Sequence, residues 1–190
     1  AYHASAAVAV ASVMGISLTD AVEGLASLET PPGRMRLVPG IKGTTIIDDT
    51  YNASPVATEQ AVQTLGDVRA LRKIAVLGDM LEFGRFSVDE HKNIGTLVAK
   101  NADRLATVGI RARSIAEAAQ AAGMSESYIL QYEDARLAGK ELESLIQEGD
   151  VILIKGSQSL RMERAVEEIM AEPARAEELL VRQDPVWKSR

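Results

Sequence analysis

The chain has 190 residues and a formal net charge of −6, and 46% of it is apolar. That makes one ordinary domain with an appendage, and its acidity gives no pull toward nucleic acid or an anionic membrane. There is no cysteine, and His3 and His91 are the only histidines. This excludes a disulfide framework and zinc–thiolate chemistry and argues against a histidine metal site.

No apolar run reaches the ~18 residues of a membrane span, and the alanine-rich start at 4–11 lacks the basic flank of a signal peptide. A soluble protein of a reducing, cytoplasmic compartment is expected. Aromatics are 4%, so the core must be aliphatic.

Ala6, Ala7, Val10, Val13 and Met14 recur at helical spacing, and Gly15 ends the run as a C-cap residue does. Leu18, Val22 and Leu25 align in a second helix capped by Ser17 or Thr19. This pair has little to pack on by itself, and chains rarely begin inside a helix without a start methionine. Residues 1–30 are therefore expected to be the closing helices of a preceding domain in a longer protein. Glu-Thr-Pro-Pro-Gly at 29–33 is a break. Residues 31–172 form the main domain, and 173–190 form a polar tail expected to fray.

Residues 35–38 and 44–48 read as two strands joined by Pro-Gly-Ile-Lys-Gly, hence an antiparallel hairpin. A helix over 56–68 follows, with Ser54 as cap, Pro55 in the first turn, and Ala57, Ala61, Val62 and Leu65 on its inner face. The strand 73–77 ends in Gly78-Asp79. Ser87 and Glu90 form a capping box for a helix over 88–100. The strand 104–108 ends at Gly109, and a helix over 114–122 is closed by Gly123. A weak strand at 128–131 precedes a helix over 134–147 with Leu137, Leu142, Leu145 and Ile146 inward. The fully apolar strand 151–154 leads into Lys155-Gly156-Ser157, and the last clear helix spans 161–170. Strands that are apolar throughout, alternating with helices, predict an α/β fold. It is a three-layer α/β/α, Rossmann-like mixed sheet of about six strands, mostly parallel, with one antiparallel strand from the N-terminal hairpin.

Polar and glycine signals cluster at four strand ends: 48–52, 78–79, Gly109 and 155–159. In a parallel sheet these emerge along one edge, where ligands bind. The segment Asp48-Asp49-Thr50-Tyr51-Asn52 brings two carboxylates, a hydroxyl, a phenol and an amide to a helix N-terminus; an Asp-Asp pair also serves simply to cap a turn. Lys155-Gly156-Ser157 offers an ammonium, backbone N–H groups and a hydroxyl to an anion, or is a tight turn with a solvated lysine. The stretch 82–85 reads as a mobile loop with Phe83 and Phe86 packed beneath it. His91 reads as a hydrogen-bonded structural residue, and Trp187 as packing on the surface or on a missing domain. There is no Gly-x-x-x-x-Gly-Lys-Ser/Thr loop and no Gly-x-Gly-x-x-Gly after a strand, so most contacts to any nucleotide must come from elsewhere.

Pro-Gly-Arg-Met-Arg (32–36), Ile-Asp-Asp-Thr-Tyr-Asn-Ala-Ser-Pro (47–55), Leu-Gly-Asp-Met-Leu-Glu-Phe-Gly (77–84), His91 and Lys-Gly-Ser-Gln-Ser-Leu-Arg-Met-Glu (155–163) stand in that order. Together they resemble the C-terminal domain of the Mur ligases, over residues 1–170. Within the family they are similar to the branch that adds D-alanyl-D-alanine to UDP-N-acetylmuramoyl-tripeptide in peptidoglycan synthesis. Ser54, Phe83 and Gln158 depart from the usual Asn, Leu and Arg, the last at a position facing an anionic substrate.

The resemblance implies a domain that closes over an ATP site held, with its magnesium, mainly by a missing central domain. Its partners are its own N-terminal and central domains, UDP-N-acetylmuramoyl-tripeptide and D-alanyl-D-alanine; no nucleic acid or membrane is implied, and a monomer is expected. Arg34, Asp49 and Asn52 are implied at the nucleotide, and Asp79, Lys155, Ser157, Ser159 and Arg161 at the peptide substrates. No catalytic or metal residue is implied here, and the piece alone is expected to be inactive. Two other readings stay open on the residues themselves. One is a haloacid-dehalogenase-type phosphatase using Asp48 or Asp49, whose adjacent aspartates lack the usual one-residue spacing. The other is a stand-alone binding module.

Overall fold

The computed structural model describes residues 2–81 and 84–189. The chain divides into two compact units, Ala1–Thr30 and Pro31–Arg190.

The first unit is a helical pair, α1 (Tyr2–Val13) and α2 (Leu18–Ala26). Gly15, at φ +82°, closes α1: its N–H donates to Ser12 and that of Ile16 to Ala11, the paired bonds of a Schellman motif. Ser17 caps α2 by accepting the Asp20 N–H. Val10, Val13, Met14, Leu18 and Val22 are all exposed.

The second unit opens on β1 (Arg36–Pro39) and β2 (Thr45–Asp49), paired antiparallel with Arg36 opposite Asp48. Met35 has φ +56° and stays outside the strand. There follow α3 (Pro55–Asp67), β3 (Arg72–Gly78), α4 (Ser87–Asn101), β4 (Arg104–Val108), α5 (Arg113–Ala121), β5 (Ile129–Tyr132), α6 (Ala135–Leu145), β6 (Asp150–Lys155) and α7 (Glu163–Ile169). The chain ends in α8 (Ala176–Leu179) and α9 (Pro185–Lys188). Among the described residues six strands form one sheet in the order β1-β2-β6-β3-β4-β5, with every pair but the first parallel. Strand β6, apolar from Val151 to Ile154, is central and hydrogen-bonded on both sides.

Alternation along each strand splits the core in two. Ile47, Ala75, Leu77, Leu105 and Leu153 face α3, α4 and α5. Ile46, Val76, Ala106, Ile152 and Ile154 face α6 and α7.

Several details differ from expectation for physical reasons. Leu137 is 48% exposed, because α6 turns Ala135, Ala138 and Gly139 inward. A Cβ on Gly139 would meet the Ala165 carbonyl oxygen at 2.8 Å. Small residues let α6 and α7 approach, and they outrank the leucine periodicity. In α3 Ala57 is exposed and Thr58 takes the inward position. Ser87 does not cap α4: a 3-10 turn, Gly84–Phe86, runs straight into the helix, and Ser87 lies inside it. Phe86 is 57% exposed rather than packed, while Glu82 and Phe83 lie outside the described residues. The stretch beyond Glu172 does not fray: Leu179 and Leu180 are buried in the α6–α7 layer.

Gly95 makes the corresponding approach between α4 and α5. A Cβ there would stand 2.2 Å from the Ile115 carbonyl oxygen and 2.8 Å from the Ala118 Cβ. Gly95→Ala gains ~1 kcal/mol in helix propensity but must spread two helices. We expect net destabilisation within the ~1–3 kcal/mol of overpacking, read as a lower denaturation midpoint at unchanged slope. A raised midpoint would refute the packing account.

Candidate functional site

The loops leaving β2 and β3 run to α3 and α4 on one face, and the loop leaving the intervening β6 runs to α7 on the other. Neighbouring strand ends that part to opposite faces leave a crevice. Gly78 and Gly156 let the ends of β3 and β6 approach closely: a Cβ on Gly156 would lie 3.1 Å from the Gly78 Cα. Asn52, Ala53, Ser54, Leu81, Ser157 and Ser159 surround a cleft of about 260 Å³ there.

The two adjacent aspartates point to different tasks because alternate strand residues face opposite ways. Asp48 is fully buried. It accepts the Gly33 N–H (2.9 Å), the Thr50 N–H (3.2 Å) and the Thr50 hydroxyl (2.6 Å). It caps its own turn and also ties down the loop ahead of β1. Burial pushes its carboxyl up from 3.8 to about 6, against the pull of the Thr50 and Gly33 hydrogen bonds.

A raised carboxyl pKa means the folded state holds the proton more tightly. Asp48 therefore contributes stability fully below pH ~4, loses it as pH rises through ~6, and is level above. The span of about two pH units corresponds to at most ~3 kcal/mol. The stability of the native chain minus that of Asp48→Asn, from denaturant titrations at pH 4 to 7, should fall as pH rises. A flat difference would show that Asp48 titrates normally.

Asp49 and Lys155 stand opposite each other in the β2–β6 register. Lys155 Nζ donates to Asp49 Oδ2 at 2.6 Å and to the Asn52 carbonyl at 2.9 Å, and both side chains are nearly inaccessible. The second Asp49 oxygen accepts the Met35 N–H at 3.2 Å. A carboxylate has about four lone-pair sites, so Asp49 retains acceptor capacity beyond these two bonds. Arg34 is exposed, its guanidinium 4.0 Å above the Tyr51 ring. Tyr51 N–H donates to the Gly33 carbonyl at 3.0 Å, which sets Arg34 beside the 48–52 loop.

The Mur ligase, glutamate ligase domain, family matches residues 33–158. The chain belongs to the Mur ligase family.

It is 34% identical over 175 residues to the UDP-N-acetylmuramoyl-tripeptide–D-alanyl-D-alanine ligase of Bacillus subtilis, covering 90% of this chain and 38% of that protein. Among solved structures, a MurF ligase of Acinetobacter baumannii aligns with a TM-score of 0.73 at 32% identity, over 87% of this chain and 36% of that one. A MurF ligase of Thermotoga maritima in complex with ADP aligns with a TM-score of 0.68 at 30% identity, over 85% and 35%. The chain thus spans little more than a third of the length of these relatives.

In this Mur ligase domain Asn52, Ser157 and Ser159 line the cleft, and Asp49 and Lys155 lie directly behind Asn52. The other two substrate candidates are differently engaged. Asp79 turns its carboxylate to the next crossover, accepting the Ala112 N–H at 2.7 Å and lying against Gly109. Its backbone carbonyl accepts the Ser157 N–H at 3.0 Å, and Ser157 Oγ in turn accepts the Leu81 N–H at 2.9 Å. These bonds hold the β3 and β6 loops at a fixed separation. Arg161 is buried with φ +54°, donating to Glu163 and to the Trp187 carbonyl. His91 is fully buried; Nε2 accepts the Met80 N–H at 3.0 Å and Nδ1 bonds the Ser87 carbonyl. Both nitrogens are occupied, as a structural histidine requires.

Glu163 closes the 155–163 motif but the sequence assigns it no role, and nothing in the sequence marks Arg182. Arg182 reaches the Thr50 and Tyr51 carbonyls and bonds Glu163. A lone arginine in a polar tail carries no pattern from which this is legible.

Proposed function

We propose that this domain closes over the reacting centre of an ATP-dependent ligase that joins D-alanyl-D-alanine to UDP-N-acetylmuramoyl-tripeptide in cytoplasmic peptidoglycan precursor synthesis. The observation that carries it is the polar cleft at the sheet's C-terminal edge, on a chain matching just over a third of relatives so named. On this reading residues 1–30 are helices of the preceding ATPase domain; the exposed Val10, Val13, Met14, Leu18 and Val22 support that.

In such a reaction the tripeptide carboxylate takes the terminal phosphoryl group of ATP. The D-alanyl-D-alanine amine then attacks the acyl carbon, a C–N bond forms, and inorganic phosphate leaves as the amine loses a proton. An acyl phosphate is lost to water, so a wall that closes over it protects the intermediate until the amine attacks. Arg34 is the residue for the nucleotide phosphates: it is exposed, permanently charged and pre-oriented on Tyr51. Asp49 offers its remaining lone pairs to ribose hydroxyls, with the Asn52 amide beside it. Ser157 and Ser159 present hydroxyls to the peptide substrates. Lys155 and Arg161 act through their neighbours, Lys155 by fixing Asp49 and the Asn52 carbonyl. Magnesium, when bound, would supply positive charge to neutralise the transferring phosphate. Among the described residues no group of three or more His, Cys, Asp or Glu side chains is placed to hold a metal, so we assign the ion to the preceding domain.

The test compares phosphate release by the 190-residue chain with that by the full-length protein carrying it. Release from the full-length protein alone, dependent on ATP and both peptide substrates, is expected. Turnover by the 190-residue chain, or release independent of D-alanyl-D-alanine, would overturn the assignment.

A further inference from the structure

The family match ends at residue 158, yet the chain beyond it returns to the cleft. Leu179 and Leu180 anchor in the α6–α7 layer. Val181 then packs on Gly33, where an added Cβ would meet Val181 Cγ1 at 2.9 Å. Arg182 follows at φ +58°, a conformation that a non-glycine residue keeps only where its surroundings over-determine it. Its side chain is 5% exposed. It donates to the Tyr51 carbonyl at 3.0 Å and to the Thr50 carbonyl, and pairs with Glu163 at 2.8 Å. Glu163 is fully buried and takes Arg161 on its other oxygen. The indole of Trp187 lies under both guanidinium groups, at 5.2 and 5.9 Å.

This Arg161–Glu163–Arg182 triad joins the two segments that wall the cleft. Arg161 and Glu163 continue the loop bearing Ser157 and Ser159, and Arg182 grips the turn bearing Tyr51 and Asn52. The same turn fixes Arg34, because Tyr51 N–H bonds the Gly33 carbonyl. An arginine fork suits the task, since its several donors serve two carbonyls and a carboxylate at once.

We propose that Arg182 is a positioning residue: the C-terminal tail is a clasp that holds the Arg34–Tyr51 pair and the 48–52 turn in their ligand-binding arrangement. That the ligand is a nucleotide rests on the function proposed above; the clasp itself does not.

The test uses the full-length protein with Arg182→Met, Arg182→Lys, and a chain ending at Leu180. In all three Glu163 keeps Arg161 as partner; the two point variants leave the leucine anchor and Trp187 untouched and orphan no buried charge, while the truncation adds a carboxylate at Leu180 and is read beside them. Amide hydrogen exchange needs no ligand. Arg182→Met and the truncation should speed exchange at Met35 and Tyr51 at least about tenfold while β3, β4 and β5 amides stay as protected as before; a local contact worth about 1.4 kcal/mol gives that factor. Arg182→Lys should fall between. Unchanged exchange at Met35 and Tyr51, or a loss spread evenly over the sheet, would overturn the clasp. In turnover assays Arg182→Met should raise the ATP Michaelis constant with little change in kcat. A constant unmoved by Arg182→Met but raised by Arg34→Ala would also overturn the clasp. If neither variant moved it, the nucleotide assignment would fail, and the exchange result alone would decide on the clasp.

Discussion

Lys155→Met should destabilise the domain by about 3–5 kcal/mol, the range for removing one partner of a buried ion pair. The cause is the charge left behind. Asp49 would lose its 2.6 Å partner while its side chain stays only 10% exposed, and the Asn52 carbonyl would lose its donor too. The second substitution decides the explanation. Adding Asp49→Asn to Lys155→Met removes the orphaned charge and should recover a good part of the loss. A double-mutant cycle by urea denaturation would then give a coupling of roughly 1–3 kcal/mol, the size seen for residues in direct contact. Additive losses would mean that the pair does not interact as its geometry indicates. The pair also bears on function. The sequence reading set Asp49 at the nucleotide and Lys155 at the peptide substrate, so that each substitution would disturb one ligand. With the two groups bonded, both substitutions disturb the same turn, and Asn52 with it.

Arg34→Ala, by contrast, should leave stability within about 0.5 kcal/mol, as surface substitutions do, and still cost the proposed ligase heavily. A charge-assisted hydrogen bond is worth roughly 1.5–3 kcal/mol, about ten- to a hundredfold in ATP affinity. The Michaelis constant for ATP should rise by that factor, with the constant for D-alanyl-D-alanine nearly unchanged. Tyr51→Leu removes only the ring beneath the guanidinium, ~0.5–1 kcal/mol at an exposed site, so its effect should be several-fold smaller. A raised D-alanyl-D-alanine constant with ATP unaffected would move Arg34 to the other ligand.

Much of the sheet was legible because its signals are local. Val-Ile-Leu-Ile ahead of Lys-Gly-Ser can hardly be anything but a buried strand, and β6 is the centre of the sheet. The cleft's position followed from where polar residues meet strand ends. What one side chain does there depends on partners remote in sequence. Lys155 read as a solvated or anion-facing ammonium, since nothing near it announces Asp49. Leu137 misled because α6 turns Ala135, Ala138 and Gly139 inward, which leaves Leu137 outside while Leu142 stays buried. The tail read as fraying from its polarity, which is the property that lets Arg182 and Gln183 hydrogen-bond where they do.

The place of β6 in the sheet bears on how the chain acquires its shape. The strand that unites the sheet is made last: Asp49 must wait for Lys155, 106 residues downstream. Until then the β1–β2 hairpin and the β3–β4–β5 group each present an open edge of unpaired backbone. Such late, distant closure is the slow kind. During synthesis the ribosome must release nearly the whole domain before either half is sealed, so the half-made chain is where aggregation and the need for a chaperone should concentrate.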